Sequence, residues 1–262
     1  MSFDEETIRG VDESVLSRSE KRWLIDKFFP KSGPAPWQEK LATEWDSAKR
    51  WERYLEAASI PDPQTTYRVS HSELVRRAKR HEPTRIGRRV TDFTAWVFSL
   101  YCPPPDPQAQ ADGKKVERSI AKRLGGAPAR TGWELIYQDP LVSRPDPMTI
   151  SALTIDGHAI YGAPDLVFRE KQSGRIIIVE RKASNRPIPS DGWPNLRAQL
   201  WAYAQADEWF GAPEIDLVGE IWGYGYGSVS IRGVCKWSLR DRQFCRENAE
   251  LFSIYRDHVE GN

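Results

Sequence analysis

The chain has 262 residues, with 38 Lys or Arg against 37 Asp or Glu, a net charge of +1 and a 39% apolar share. This composition supports one packed domain, or a core with an extension, and excludes a wholly disordered chain or a uniformly basic one. Three scattered cysteines exclude a disulfide framework and a zinc site. The polar, acidic start is unlike a signal peptide and no apolar run spans a bilayer, so we expect a cytoplasmic protein without a membrane partner.

The first part of the sequence has helical patterns. Apolar positions in residues 37–55 recur at helical spacing, residues 72–80 form a short basic segment after an N-cap serine, and residues 90–101 are strongly apolar. Three consecutive prolines at 103–105 end any helix there. We therefore expect a helical N-terminal region over residues 1–105, for which the sequence suggests no function.

A local basic segment lies within that region. Residues 68–90 contain eight Lys or Arg against two Glu. Nucleic-acid binding by a nearly neutral chain needs such a local patch, and four of these residues are candidate phosphate contacts: Arg76, Arg77, Lys79 and Arg80. A solvated helix face explains the same pattern equally well.

The pattern changes after the prolines to alternating strands and helices. The expected helices cover residues 107–124, 194–210 and 239–258, and the expected strands cover residues 132–142, 149–155, 158–168, 175–183, 215–222 and 229–235. The fold class we expect is α/β, more closely an α+β mixed sheet with flanking helices.

Two consecutive predicted strands carry charged residues at positions that a hairpin would bring side by side. Because strand side chains alternate between faces, Glu180 and Lys182 point one way and Arg181 the other. Asp165 lies 15 residues before Glu180 (180 − 165), across a turn at Gly174. A hairpin would therefore bring two carboxylates and an ammonium into one cleft. The alternative is an ordinary Glu–Lys ion pair at a strand end.

Carboxylates and a lysine suit phosphodiester hydrolysis. Mg²⁺ takes oxygen ligands, usually one or two carboxylates with water and phosphate, and a bound metal lowers the pKa of the attacking water. Asp165 and Glu180 are the expected ligands. Lys182 can orient or deprotonate the water and contact the scissile phosphate, and the sequence leaves these roles open.

Pro164-Asp165 followed by Glu180-Arg181-Lys182 resembles the PD-(D/E)xK nuclease signature. Gln199 and Tyr203 are similar to the QxxxY element of its RecB-like branch. The resemblance covers roughly residues 106–222. It implies a restriction-endonuclease-like core, a nuclease domain over residues 106–262, DNA as substrate, and bound Mg²⁺ for which Mn²⁺ can substitute.

The resemblance also bears on other residues of the site. It places an acidic residue or histidine near Glu117, which we interpret as a third catalytic carboxylate and metal ligand. The alternative is a Glu at the edge of its helix, solvated or paired with a neighbouring lysine. Gln199 and Tyr203 either fix their helix against the catalytic strands and contact DNA, or pack as in any half-buried helix.

Two departures from the family pattern have consequences. The residue between Glu180 and Lys182 is usually apolar, so Arg181 implies that its face is less buried or meets DNA. Some relatives hold an iron–sulfur cluster on four cysteines. This chain has only Cys102, Cys235 and Cys245, so we expect no iron–sulfur cluster.

The sequence thus favours a Mg²⁺-dependent deoxyribonuclease. A place in DNA repair, recombination or phage defence fits that activity, alone or in a complex with other proteins. One alternative is a catalytically inactive DNA-binding or assembly module on the same fold. Another is an unrelated soluble protein with a chance motif, or a carboxylate-pair hydrolase acting on another substrate.

Overall fold

The computed structural model describes residues 70–103, 132–138, 147–189, 191–225 and 228–261, with Ala111, Val116 and Glu117. Its helices are α1 (His71–Ala78), α2 (Val90–Ser99), α3 (Pro194–Tyr203) and α4 (Arg242–Glu260), with a 3₁₀ turn at Asp207–Trp209. Its strands are β1 (Trp133–Gln138), β2 (Met148–Ile155), β3 (His158–Gly162), β4 (Leu166–Glu170), β5 (Ile176–Ala183), β6 (Ile215–Gly225) and β7 (Ser228–Ser238). The expected helix over residues 37–55 and most of that over 107–124 lie outside the described residues.

Five strands form a mixed sheet in the order β1-β4-β5-β6-β7. Strands β5 and β6 run parallel, and every other neighbouring pair is antiparallel. Strands β2 and β3 pair separately as an antiparallel hairpin. The predicted mixed α/β class with flanking helices is therefore confirmed.

The central strand β5 is buried on both faces, as its continuous apolar run predicts. Ile176 and Ile178 face the main core, which includes residues of all four described helices. Ile177 and Val179 belong to a second apolar cluster on the opposite face. By alternation, Glu180 lies on the face of Ile176 and Ile178 and therefore points towards α3.

Helices α1 and α2 pack into the same core as α3 and α4. Phe93 of α2 is fully buried and meets Phe252 of α4 edge-to-face, with ring centroids 5.3 Å apart. The described part of the predicted N-terminal region thus shares its core with the sheet, whereas residues 104–110, at the predicted boundary, lie outside the described chain. None of the described helices is both long and apolar enough to cross a membrane.

The beginning of α1 differs slightly from expectation. The helix was expected over residues 72–80, and it covers His71–Ala78. Its N-cap is Ser70, whose hydroxyl accepts a hydrogen bond from the Glu73 amide at 3.3 Å. An N-cap serine in the extended conformation satisfies one of the free amides of the first turn, which fixes the start of the helix one residue earlier.

One predicted strand is wrong. Residues 158–168 were expected as a single strand, but they form β3 and β4, which belong to different sheets. The break contains Pro164, which has no amide hydrogen for a ladder and disfavours a continuous central strand. Likewise the helix expected over residues 194–210 ends at Tyr203, whose carbonyl accepts a hydrogen bond from the Trp209 indole at 3.0 Å.

Candidate active site

Asp165 lies immediately before β4, at the end of the β4–β5 ladder. Leu166 pairs with Val179, so Asp165 stands one step beyond that pair, across from Glu180. The Asp165 Oδ2 accepts a hydrogen bond of 2.6 Å from the backbone amide of Arg181. The break at Pro164 therefore leaves a carboxylate at the end of the central strand.

Glu180 is the centre of a hydrogen-bonded network. Its Oε1 accepts from Lys182 Nζ at 2.6 Å and from Gln199 Nε2 at 2.7 Å. Gln199 Nε2 also lies 2.9 Å from the Tyr203 hydroxyl. Glu180 and Gln199 are each 4% exposed and Tyr203 is 2% exposed, whereas Lys182 is partly open to solvent. The Glu–Lys pair exists, but as part of a larger buried cluster.

Two glycines let α3 and the sheet approach closely enough for these contacts. Gly219 pairs with Glu180 in the parallel ladder, and a Cβ there would lie 2.7 Å from Leu196 Cδ2. A Cβ on Gly162 would lie 2.5 Å from Tyr203 Cε1. A side chain at either position would require the Leu196 or Tyr203 side chain, or the helix that carries it, to move. The close approach brings Gln199 to Glu180.

Glu117, which has a helical backbone, reaches the same end of β5. Its Oε1 accepts a hydrogen bond of 3.0 Å from the backbone amide of Ala183. The charge of Glu117 also acts on Glu180 and Lys182. The structure therefore brings Glu117 together with Asp165, Glu180 and Lys182. Its alternative partners Lys114 and Lys122 lie outside the described residues.

Among the residues that the structure describes, this buried cluster has three carboxylates and one ammonium. Burial raises the pKa of Asp165, and it raises the pKa of Glu180 to about 8, with the charges of Asp165 and Glu117 acting in the same direction. Burial alone would lower the pKa of Lys182, but the three carboxylates raise it above its usual value. The site therefore favours a bound cation.

This donor set fits a hard divalent cation. Carboxylate oxygens are the preferred ligands of Mg²⁺, and Glu180 Oε2 is buried with no hydrogen-bond partner among the described residues. Such an oxygen is costly to bury unless something binds it. Among the described residues, no three His, Cys, Asp or Glu side chains already stand in a metal-binding arrangement. Asp165 and Glu117 each direct one oxygen to a β5 amide instead.

The expectation that the face of Arg181 is less buried is wrong. Arg181 is 6% exposed and its Nε donates to Glu220 Oε2 at 3.1 Å. The two residues are neighbours in the parallel β5–β6 ladder, on the face opposite Glu180. Glu220 is not among the residues predicted from the sequence, although an acidic residue within the apolar run of β6 indicates a buried partner.

The four candidate phosphate contacts of the basic segment divide into two pairs. Glu73 binds Arg76 and Arg77, at 2.7 and 2.6 Å, and Arg77 also donates to the Leu100 carbonyl. Lys79 and Arg80 are exposed after the end of α1. None of these four residues forms a hydrogen bond or an ion pair with the Glu180 cluster in the described part of the chain.

Comparisons with known proteins give little beyond this geometry. No protein-family model matches the chain, and no curated protein matches it. A solved structure described as "Crystal structure of SSO0001" aligns over 81% of this chain and 86% of its own, at 17% identity and a TM-score of 0.30. The chemistry of the site therefore rests on its own residues.

Proposed function

We propose that this chain is a metal-dependent nuclease that hydrolyses DNA phosphodiester bonds, with a PD-(D/E)xK active site of the RecB-like type on a restriction-endonuclease-like core. The observation that carries the proposal is the convergence of Asp165, Glu180, Glu117 and Lys182 at the end of β5. The buried Glu180 Oε2, which has no hydrogen-bond partner in the described part of the chain, supports a cation at this place.

The proposed roles follow from charge and position. Asp165, Glu180 and Glu117 would hold Mg²⁺ or Mn²⁺, which supplies a water of lowered pKa and neutralises developing charge. Lys182 has a raised pKa and is therefore an ammonium near neutral pH. An ammonium donates hydrogen bonds but cannot accept a proton, so its proposed role is to hold the phosphate and the water. Gln199 keeps Glu180 in place, supported by Tyr203.

DNA cleavage by the full-length protein tests the proposal. Labelled single-stranded and double-stranded DNA would be incubated with Mg²⁺, with Mn²⁺ or with EDTA. We expect cleavage with either metal and none with EDTA, and no cleavage by Asp165→Asn in any arm. An inactive module on the same fold would bind DNA without cleaving it. If the protein neither binds nor cleaves DNA, both the nuclease and the inactive DNA-binding module are contradicted.

A further inference from the structure

The C-terminal half of the basic segment follows α1, between it and α2. Residues 79–89 contain five cations against the single acid Glu82: Lys79, Arg80, Arg85, Arg88 and Arg89. The last three are exposed and form no ion pair with any residue that the structure describes. We name these three, with Tyr161, the arginine strip. Unlike Arg76 and Arg77, which bind Glu73, its arginines keep their donors for a ligand.

The backbone of this segment is fixed at several points although it lacks regular structure. The carbonyl of His81 accepts from the Trp96 indole at 2.7 Å, and that of Gly87 lies 3.2 Å from the Tyr255 hydroxyl. The amide of Arg89 donates to the Asp92 carboxylate at 3.3 Å. A segment held in this way presents its side chains without the entropy cost of ordering a loop when a ligand binds.

The backbone of Tyr161 pairs with the backbone that carries the arginines. Tyr161 is 39% exposed, on β3, and its amide donates to the Arg88 carbonyl at 2.8 Å. An exposed aromatic side chain near cations that have no ion-pair partner in the described part of the chain is a combination that binds nucleic-acid strands, because phosphates contact the cations and a base stacks on the ring.

The arginine strip is close to the candidate active site. Tyr161 precedes Asp165 by four residues, so their Cα atoms lie within about 14 Å of each other even if the chain between them is extended. The next residue, Gly162, packs against the Tyr203 ring. Tyr203 in turn meets Gln199, which binds Glu180. A strand bound along the strip is therefore a few residues from the carboxylates.

We propose that the arginine strip binds the nucleic-acid strand leading to the active site, with Arg85, Arg88 and Arg89 on phosphates and Tyr161 stacked on an unpaired base. The strand is single, because the faces of paired bases in a duplex are already stacked on their neighbours and cannot cover Tyr161. The identity of the occupant rests on the proposed function, whereas the binding surface is tested independently of cleavage.

The first experiment measures the salt dependence of binding. The full-length protein in EDTA is titrated with a fluorescent 20-nucleotide oligothymidine by anisotropy at several salt concentrations. The strip variant carries Arg85→Ser, Arg88→Ser and Arg89→Ser. The control carries three exposed arginines changed elsewhere, Arg240→Ser, Arg242→Ser and Arg246→Ser. We expect the slope of log affinity against log salt to fall by about 2 in the strip variant and to stay unchanged in the control.

The second experiment isolates the aromatic ring. Tyr161→Leu should weaken single-strand binding about 5- to 150-fold, as expected for loss of one base stack, and leave duplex binding unchanged. Tyr161→Phe should retain single-strand affinity. Equal weakening for single strand and duplex would overturn the single-strand assignment. Thermal unfolding of each variant confirms that it is folded.

The two proposals fail in different ways. A folded strip variant with wild-type salt slope overturns the arginine strip, even if the wild-type protein cleaves DNA with Mg²⁺. If the strip mutations weaken the binding of polyglutamate and leave DNA binding unchanged, the proposal is also overturned. The ligand of the arginine strip would then be an acidic polypeptide. If the wild-type protein binds DNA through the strip but does not cleave it, the binding surface is supported and the proposed nuclease activity is contradicted.

Discussion

At the scale of single residues, the site depends on hydrogen bonds that offset the cost of burying its carboxylates. Asp165 and Glu117 each accept a hydrogen bond from a backbone amide of β5, and Glu180 accepts from Lys182 and Gln199. Buried charges are expensive unless they are paired and hydrogen-bonded. These contacts compensate only in part, because the pKa of Glu180 is still raised to about 8.

That raised pKa predicts a pH dependence of stability. A carboxyl group whose pKa rises from 4.5 to about 8 on folding binds more protons in the folded state between these values. Its contribution to stability is therefore largest below pH about 4.5 and is lost as the pH rises through about 8. In EDTA, the unfolding free energy from urea titration should fall over this range, and Glu180→Gln should flatten the fall.

The matched control for the pH experiment is Glu82→Gln, at an exposed position. It should reproduce the wild-type profile. Added Mg²⁺ should stabilise the wild-type protein most at high pH, since metal ligands must be deprotonated. A wild-type profile in Glu180→Gln would show that another group causes the pH dependence.

Glu117 makes a separate prediction. Glu117→Gln keeps an oxygen for the Ala183 amide and removes the charge, so the fold should be preserved. If Glu117 helps to hold the metal, directly or through water, calorimetry should show Mg²⁺ affinity lowered about 10- to 100-fold. The control Glu134→Gln, on β1, should bind Mg²⁺ as the wild type does. Unchanged affinity in Glu117→Gln would leave a site of Asp165, Glu180 and Lys182.

Part of this site follows from the sequence alone. Strand alternation places Glu180 beside Lys182, and i to i+4 spacing places Gln199 beside Tyr203. The same helical spacing shows that Glu73 can bind Arg76 and Arg77. The contact of Arg181 with Glu220 could not be predicted, because it crosses 39 residues through a parallel pair whose register depends on tertiary packing.

At the scale of elements, β5 carries charged residues on both faces of one strand end. Glu180 and Lys182 face α3, and Arg181 binds Glu220 on the other face. The contact that Arg181 makes with Asp165 uses its backbone amide rather than its side chain. The side-chain ion pair therefore links the interior strands β5 and β6, and the amide contributes to the geometry of the site.

This separation can be tested by a double-mutant cycle. Glu220→Leu removes the ion-pair partner of a buried guanidinium and should lower the unfolding free energy by about 3–5 kcal/mol. Adding Arg181→Met should restore most of that stability and leave DNA cleavage intact. In the control Asp216→Leu the loss should be smaller, because its partners Arg175 and Lys236 are 25% and 15% exposed and can be rehydrated. Loss of cleavage in the stable double variant would assign the Arg181 side chain a direct role.

Element boundaries were less predictable than element types. Hydrophobic patterns predicted the central strand and the final helix, because each has a long, regular period. The division of residues 158–168 into β3 and β4 depends on Pro164 and on two separate pairing partners. The order of the strands, with β6 parallel to β5, is a tertiary property that no local pattern specifies.

At the scale of the whole molecule, α1 and α2 belong to the body that carries the site. Phe93 and Trp96 lie against Tyr255 of α4, with centroid distances of 5.4 Å each. Leu74 of α1 joins the same core. The described part of the first hundred residues thus packs in one core with the helices next to the active site.

Limited proteolysis tests this arrangement. We expect the first cut within residues 103–113, where proline and polar residues predominate. The two fragments should remain associated in size-exclusion chromatography, because α2 and α4 share a buried aromatic core. First cleavage near residues 223–227 would contradict the predicted boundary, and separation of the fragments without denaturant would contradict the shared core.

The central claim is that the carboxylates and Lys182 form a hydrolytic centre, and one measurement tests it most directly. Single-turnover DNA cleavage with Mg²⁺ is compared for the wild type, Lys182→Met and the control Lys171→Met, at an exposed turn position. The proposal predicts a rate loss of about 10² to 10³-fold for Lys182→Met, as for the loss of one charged hydrogen-bond donor, together with unchanged folding and a wild-type rate for Lys171→Met. Near-normal Mg²⁺-dependent cleavage by folded Lys182→Met would contradict it.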